Sequence, residues 1–273
     1  MRAHQDNLTT LNHLCWSNDT DRSFYAWNCA VVGITCGSGL PLNIYVVWLI
    51  IRGAGSGIGS EFFSLSLVLT DILFLTGFLM LPFINLCSIP AKALFFIYGF
   101  IAVGHPLFQT CICVERYLAV LHPVLFLKYK PLRYKLACSG VVWMMTLAAS
   151  VILVLFEDII LWIFWFATYT VLFIVMLLCG LAVLRGLCKP GPGEGERAEA
   201  NKVKMKAFRI ISAVALTQLI TIIGNMAQYF IAENTPQQQI LLSLIILSTY
   251  IVTVVTHPAL YLHKMGKLPC TTC

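Results

Sequence analysis

The chain has 273 residues, of which 59% are hydrophobic and only 11% are charged, and its mean hydropathy is +0.85. Soluble domains rarely exceed about half apolar residues, so this composition excludes an ordinary soluble enzyme. The net charge of +6 is explained by basic loops that face an anionic cytoplasmic leaflet. We therefore expect a bilayer around the chain and no nucleic-acid partner.

Seven runs of uncharged or nearly uncharged residues follow one another along the chain. Each has at least 21 residues, enough to cross a hydrocarbon core of about 30 Å as a helix with roughly 1.5 Å of rise per residue. Only helices and closed barrels satisfy their backbone groups in lipid, and the runs lack the alternation of barrel strands. The sequence predicts an all-α membrane protein, a seven-transmembrane helix bundle, with spans at Asn28–Ile51, Phe62–Leu86, Ala93–Val114, Leu136–Phe156, Ile159–Leu184, Ile210–Ala232 and Ile240–Leu262.

The basic residues predict the orientation of this bundle. Three of the 18 Lys and Arg lie in the N-terminal arm or just after the second span, and 15 lie on the opposite side. Since basic residues accumulate in cytoplasmic loops, the N-terminus is predicted to be extracellular and the C-terminus cytosolic. Two glycosylation triplets, which start at Asn7 and Asn18, agree with an outer arm. The first 27 residues are polar, so we expect no cleaved signal peptide and an insertion signal in the first span.

The chain divides into an extracellular arm, 1–27, a membrane domain, 28–262, and a short cytosolic tail, 263–273. The segment "KPGPGEGE", Lys189–Glu196, has the composition of a disordered linker. The inner loop Arg52–Glu61 has the glycine spacing of a dinucleotide-binding turn. That turn needs a strand before it, and an apolar span comes first here, so a flexible loop without a cofactor is the favoured interpretation.

Several polar residues interrupt the apolar spans or close them. A charge in the bilayer costs about 2.5 kcal/mol or more, so an intramembrane ionisable residue is a functional candidate by default. The polar and motif residues are, in order, Asn43 in "GLPLNIYVVWLI", Asp71 in "LSLVLTDILF", Glu115-Arg116-Tyr117 at the end of the third span, Trp143 in "GVVWMM", and "HPALY", His257–Tyr261.

This ordered set resembles the rhodopsin-like (class A) family of G-protein-coupled receptors over the region from about Asn28 to Leu262. The stretch "TCICVERYLAVLHP", Thr110–Pro123, is its most specific part. The resemblance implies that Arg116 lies at the cytosolic mouth of the bundle, pairs with Glu115 at rest, and contacts a G protein when it is released. Glu115, Arg116 and Tyr117 are thus the expected coupling residues. The alternative is that the acid and the base are only an interfacial charge stop for the third helix.

A second expected site lies at mid-membrane. In the family, the carboxylate that matches Asp71 binds a sodium ion. This chain has His105 where members usually have Ser, and His257 where they usually have Asn or Asp before Pro258. A carboxylate favours a charged imidazole while desolvation opposes it. We expect Asp71, His105 and His257 to converge as a proton-linked or transition-metal site; a neutral hydrogen-bonded cluster that only positions helices is the alternative.

The chain departs from the family in several places, above all in the fifth and sixth helices. Ala91 stands where the outer disulfide cysteine is usual, and the second outer loop is almost absent. The fifth span has no Pro, and Gly224 takes the place of the sixth-helix hinge Pro. A Lys near Lys204 replaces the acid that usually meets the arginine from the sixth helix. The remaining motif positions, Asn43, Trp143, Pro258 and Tyr261, are expected to pack helices and support switching.

The outer half of the bundle says little about a ligand. Tyr98 stands where amine receptors carry an Asp, which argues against a biogenic amine. Aromatics such as Phe95 mildly favour an uncharged or lipid-like ligand, although anchoring in the lipid is an alternative for aromatic residues in general. In the tail, Cys270 and Cys273 are candidates for reversible lipidation, and an unmodified tail is equally compatible with the sequence.

The sequence thus predicts a plasma-membrane receptor that transduces an extracellular signal to heterotrimeric G proteins, without a cofactor and without enzymatic chemistry. A seven-helix binding or scaffold protein that does not signal is one alternative. A transporter or channel is another, but it needs a file of polar groups through the bundle.

Overall fold

In the computed structural model, the described part of the chain is helical apart from short turns and covers residues 19–53, 61–80, 96–97, 99–155, 159–188, 194–230 and 236–265. Its α-helices are α1 (Asp19–Arg52), α2 (Phe62–Leu79), α3 (His105–Leu121), α4 (Pro123–Tyr129), α5 (Leu132–Leu155), α6 (Ile159–Cys188), α7 (Glu194–Phe230) and α8 (Pro236–Lys264). A π-helical turn, Phe100–Gly104, leads directly into α3.

Five stretches of these helices are long and apolar enough to cross a membrane: Cys29–Arg52, Phe62–Leu79, Leu132–Leu155, Phe166–Leu187 and Val203–Ala227. They overlap the predicted first, second, fourth, fifth and sixth spans. The predicted third span corresponds to the π turn with α3, and the predicted seventh to α8, which contains the shorter apolar stretch Ile251–His263. The helical class is therefore as predicted, and the described residues include five helices of membrane length.

Neighbouring helices pack in a continuous series. Consecutive long helices are in contact from α6 to α8, and α8 packs back on α1, which in turn packs on α2. The helix α3 contacts α2, α6 and α7 and so joins the two ends of this series. A cluster of buried apolar side chains joins α3, α6 and α7: Cys113, Met176, Val183, Ile211, Val214 and Ala215.

One narrow stripe of α5 faces the bundle, and the rest of its surface is apolar and exposed. The buried positions recur every three or four residues and are Lys135, Ser139, Val142, Thr146 and Ser150. Small residues let helices approach closely in a membrane, and Gly99 beside Ser150 fits this rule because an added Cβ would overlap Ser150. The outer face carries exposed side chains such as Val141, Met144 and Met145, as expected for a surface solvated by lipid.

Two helix boundaries differ from the predictions. The third helix continues to Leu121, so Glu115-Arg116-Tyr117 lies inside α3 and does not end it. A helix leaving the hydrocarbon can continue through the interface, where water solvates charges, and this one stops where His122 leaves helical geometry before Pro123. The segment Lys189–Glu196 was predicted to be disordered, but α7 begins at Glu194. Its earlier residues lie outside the described part of the chain.

Candidate functional site

Asp71 and His105 form a buried contact between two ionisable side chains inside the bundle. Asp71 lies on α2 with no exposed surface, and His105 is the first residue of α3 and is 2% exposed. Nδ1 of His105 lies 2.8 Å from Oδ1 of Asp71. The structure thus brings together two members of the site that the sequence suggested.

Gln109 extends this contact along α3, and the sequence reasoning missed it. Its Nε2 lies 2.7 Å from Nε2 of His105, and only one of two nitrogens in such a contact can donate. With the amide as donor, Nε2 of His105 accepts, so Nδ1 carries the proton and donates to Asp71. The spacing of four residues on one helix face was the signal that could have revealed Gln109.

Two oxygen atoms at the edge of this triad have no hydrogen-bond partner among the described residues. They are Oδ2 of Asp71 and Oε1 of Gln109, and both are buried. Rotation of the amide by half a turn would present Oε1 to His105, which a doubly protonated imidazole requires. The triad Asp71–His105–Gln109 therefore has hydrogen-bond arrangements for both a neutral and a charged imidazole.

The π-helical turn before His105 sets which face of α3 the triad occupies. Pro106 has no backbone N–H, so a regular helix would lose one hydrogen bond to the preceding turn. A π turn inserts one residue and rotates the following residues by about 100°. Turns of this type occur frequently at functional sites, and this one adjoins the triad.

His257 is buried on α8 and is followed by Pro258 within the same helix. Its participation beside Asp71 and His105 remains a prediction. Among the described residues, no group of three or more His, Cys, Asp and Glu side chains is arranged to hold a metal ion.

Arg116 lies at the other end of α3, one-quarter exposed. Its Nη2 is 3.9 Å from Oε2 of Glu61, the residue that precedes α2. Nε of Arg116 is buried and has no hydrogen-bond partner in the described part of the chain. The guanidinium is thus held by one long contact and keeps donor capacity for another group.

The ion pair of Glu115 differs from the one that the resemblance implied. Oε1 of Glu115 accepts a hydrogen bond from Nζ of Lys135 on α5 at 2.5 Å, and Lys135 is only 5% exposed. The expected pair between Glu115 and Arg116 is therefore not the one observed. The physical reason is that a buried ammonium needs a counter-charge, and Glu115 supplies it.

The other polar residues near the C-terminal end of α3 also have defined contacts. The hydroxyl of Tyr117 lies 3.0 Å from Nε2 of His122. Lys204 was expected to face Arg116, but its Nζ donates to the backbone oxygen of Gly186 at 2.8 Å. This carbonyl is in the last turn of α6, where the helix dipole favours a cation.

The residues predicted to pack helices occupy contacts between elements. Asn43 is fully buried, and its Nδ2 donates to the carbonyls of Gly39 at 2.9 Å and Val254 at 3.4 Å, which joins α1 to α8. Trp143 packs its ring 5.5 Å from that of Phe108. Gly224 lies so close to α8 that an added Cβ would overlap the Thr249 side chain.

Tyr261 is buried in a cluster with α1 and α2. The remaining predicted residues lie outside the described part of the chain: Asn7, Asn18, Phe95, Tyr98, Cys270 and Cys273.

Comparison with known proteins shows which family this chain resembles. Residues 42–159, less than half of the chain, match the sequence profile of the family described as 7 transmembrane receptor (rhodopsin family). This match, together with the receptors below, confirms the resemblance that the motifs indicated.

Three relatives are receptors or receptor homologues. The somatostatin receptor type 5 of Bos taurus is 28% identical over 135 residues, which cover 46% of this chain and 36% of the relative. The S-geranylgeranyl-glutathione receptor P2RY8 of Homo sapiens is 26% identical over 133 residues, covering 44% and 35%. The G-protein coupled receptor homolog Q2/3L of Sheeppox virus (strain KS-1) is 33% identical over 110 residues, covering 36% and 27%.

The match thus spans about a third of the length of these curated relatives. The family and the apolar helices make the chain a multi-pass membrane protein whose relatives are receptors and not enzymes.

Proposed function

We propose that this protein is a plasma-membrane receptor that couples to heterotrimeric G proteins through Arg116. Seven helices would form its domain 28–262, with the arm 1–27 outside and the tail 263–273 in the cytosol. The distribution of basic residues supports this orientation. The name of the viral relative states G-protein coupling, which supports the same role for the shared segment.

The observation that carries the proposal is the loose restraint of Arg116. Its one described ion pair is 3.9 Å long and partly exposed, and exposed pairs contribute about 0.2–1 kcal/mol. The last backbone carbonyls of a helix that binds here could accept a hydrogen bond from Arg116, because its guanidinium has an N–H donor that no described contact uses. Glu115 and Tyr117 flank Arg116 in the proposed coupling site, where Glu115 is proposed to act on the arginine and not to contact the G protein.

G-protein dissociation in cells, measured by energy transfer between Gα and Gβγ, tests the proposal. The wild type should dissociate G protein above the level of vector-transfected cells, and Arg116→Ala should abolish the excess. Arg133→Ala is the matched control, because Arg133 is an exposed arginine at the cytosolic base of α5 whose described contact is with Tyr134. Wild-type and Arg116→Ala signals that are equal at equal surface expression would favour a binding or scaffold protein instead.

The triad Asp71–His105–Gln109 is proposed as a proton-linked element of the receptor, with His257 as a further member. Histidine is the side chain that most commonly serves as a proton switch, and a charged imidazole would place a cation where the family places sodium. Replacement of both His105 and His257 should therefore alter the response of signalling to pH, and an unchanged pH profile would refute this role.

The extracellular ligand is proposed to be uncharged or lipid-like and not a biogenic amine, with Phe95 and Tyr98 in its pocket. This rests on the sequence pattern alone. Radioligand binding of an amine that is lost in Tyr98→Ala would contradict it.

A further inference from the structure

Lys135 is a buried lysine at the cytosolic end of α5, a position that needs a physical explanation. It is 5% exposed, and lysine is almost never so buried unless it is paired. Its Nζ donates to Oε1 of Glu115 and also lies 5.7 Å from the centre of the Phe63 ring. The ammonium is thus held between α3 and α2, and its removal would leave Glu115 without its counter-charge.

The two ion pairs at this end of the bundle differ in length and exposure. The Lys135–Glu115 pair is 2.5 Å long with side chains 5% and 11% exposed, whereas the Arg116–Glu61 pair is 3.9 Å long with side chains 26% and 19% exposed. Water and salt screen exposed pairs more than buried ones. Glu115 is therefore committed to Lys135, and Glu61 is the weaker counter-charge of Arg116.

We infer that Lys135 is a positioning residue that draws Glu115 away from Arg116, so that Glu61, the residue that precedes α2, provides the one ion pair described for the coupling arginine. This inference rests on the proposed G-protein coupling and names its regulation. Removal of Lys135 would release Glu115 to pair with its neighbour Arg116 and would restrain the arginine more strongly. Removal of the Glu61 charge would release the arginine.

The first test measures basal G-protein dissociation at equal surface expression. Lys135→Met should lower the basal signal by up to about fivefold, the population shift that corresponds to one partly exposed ion pair. Lys135→Arg should rescue the signal because it keeps the cation. Adding Glu115→Gln to Lys135→Met should reverse the loss, since no carboxylate remains to capture Arg116. Glu61→Gln should raise the signal.

Two results in this assay would overturn the inference. One is a basal signal in Lys135→Met that equals that of Lys135→Arg. The other is a loss that persists in Glu115→Gln/Lys135→Met, because the loss would then come from packing and not from the released carboxylate. The double variant also guards against misfolding, since it leaves no buried charge unpaired.

The second test needs no G protein and so separates this inference from the proposed function. Apparent Tm is measured for protein in lipid nanodiscs carrying Glu115→Gln, Arg116→Gln or both. The shifts should add when Lys135 is present and should not add in the Lys135→Met background, where the two residues would interact. Shifts that add in both backgrounds would refute the inference. Non-additive shifts in a receptor that gives no G-protein signal would refute only the proposed function.

Discussion

Replacement of His105 by Leu tests whether Asp71 is ionised inside the bundle. The substitution removes the Nδ1 donor at 2.8 Å and leaves both oxygens of Asp71 without a partner among the described residues, since Oδ2 already lacks one. It also removes the acceptor that Gln109 uses. The change in volume is small, so the electrostatic consequence should dominate.

The expected cost depends on the charge of the carboxylate. Loss of one partner of a buried ion pair costs about 3–5 kcal/mol, whereas neutral hydrogen bonds between membrane helices average about 0.6 kcal/mol and reach about 1.7 kcal/mol. Because Asp71 has no exposed surface, water at its surface would not compensate for the loss of the His105 hydrogen bond. We expect His105→Leu to lower the free energy of unfolding by about 3 kcal/mol or more.

Denaturant unfolding in bicelles measures this cost, and Ser139→Ala provides the neutral standard. Ser139 shares a buried hydroxyl contact of 3.1 Å with Ser66, so its loss should cost about 0.6 kcal/mol. Adding Asp71→Asn to His105→Leu should recover most of the stability if an unpaired charge causes the loss. A His105→Leu cost no greater than that of Ser139→Ala would mean a neutral cluster that only positions helices, and the proton-linked site would be refuted.

Two further predictions concern α7. Gly224→Ala should lower the free energy of unfolding by about 1–3 kcal/mol because its Cβ would overlap α8. The control Gly140→Ala, where an added Cβ meets nothing within 4 Å, should raise the free energy of unfolding by about 0.5–1 kcal/mol. Equal thermal shifts of the two variants would contradict the close approach of Gly224 to α8. Lys204→Met should lower the free energy of unfolding by about 1 kcal/mol, since it removes a charged donor from the last turn of α6. Lys206 is exposed, so Lys206→Met should lower it by less than about 0.5 kcal/mol. An equally small effect of Lys204→Met would show that the contact does not stabilise α7.

The helical class followed from the sequence because lipid leaves the backbone few choices. A run such as Phe62–Leu79 must satisfy its N–H and C=O groups internally, and a helix is the way for a single segment to do so. Helix boundaries were less predictable where the composition of a segment is compatible with both a helix and a disordered loop. Glu194 starts α7 within a segment whose glycines and prolines suggested disorder, because an acidic residue is favourable at a helix N-terminus.

The candidate sites could be predicted only in part. The sequence shows which residues would cost free energy to bury in lipid, but it does not show which of these residues are in contact. Asp71 and His105 were identified because a charge in lipid is unfavourable without a partner and because the motifs resemble those of the family. The choice of partner for Glu115 could not be read from its neighbours. Lys135 is 20 residues away and was counted as one of many cytosolic bases. Its burial, which only packing reveals, makes it the stronger partner.

Besides the Glu115–Lys135 pair with α5, α3 makes two contacts between ionisable side chains with the second helix or the residue before it. His105 meets Asp71, and eleven residues later Arg116 meets Glu61, ten residues before Asp71. At about 1.5 Å per residue these separations are about 16 Å and 15 Å, so the two helices run in opposite directions in matched register.

A slide of α3 along α2 by one residue rise, about 1.5 Å, would change the lengths of both contacts at once. We therefore predict that the triad and the restraint on Arg116 are coupled through one helix interface. Asp71→Asn should consequently change the effect of Glu61→Gln on basal signalling, and independent effects of these two substitutions would show that α3 does not transmit between the sites as a rigid body.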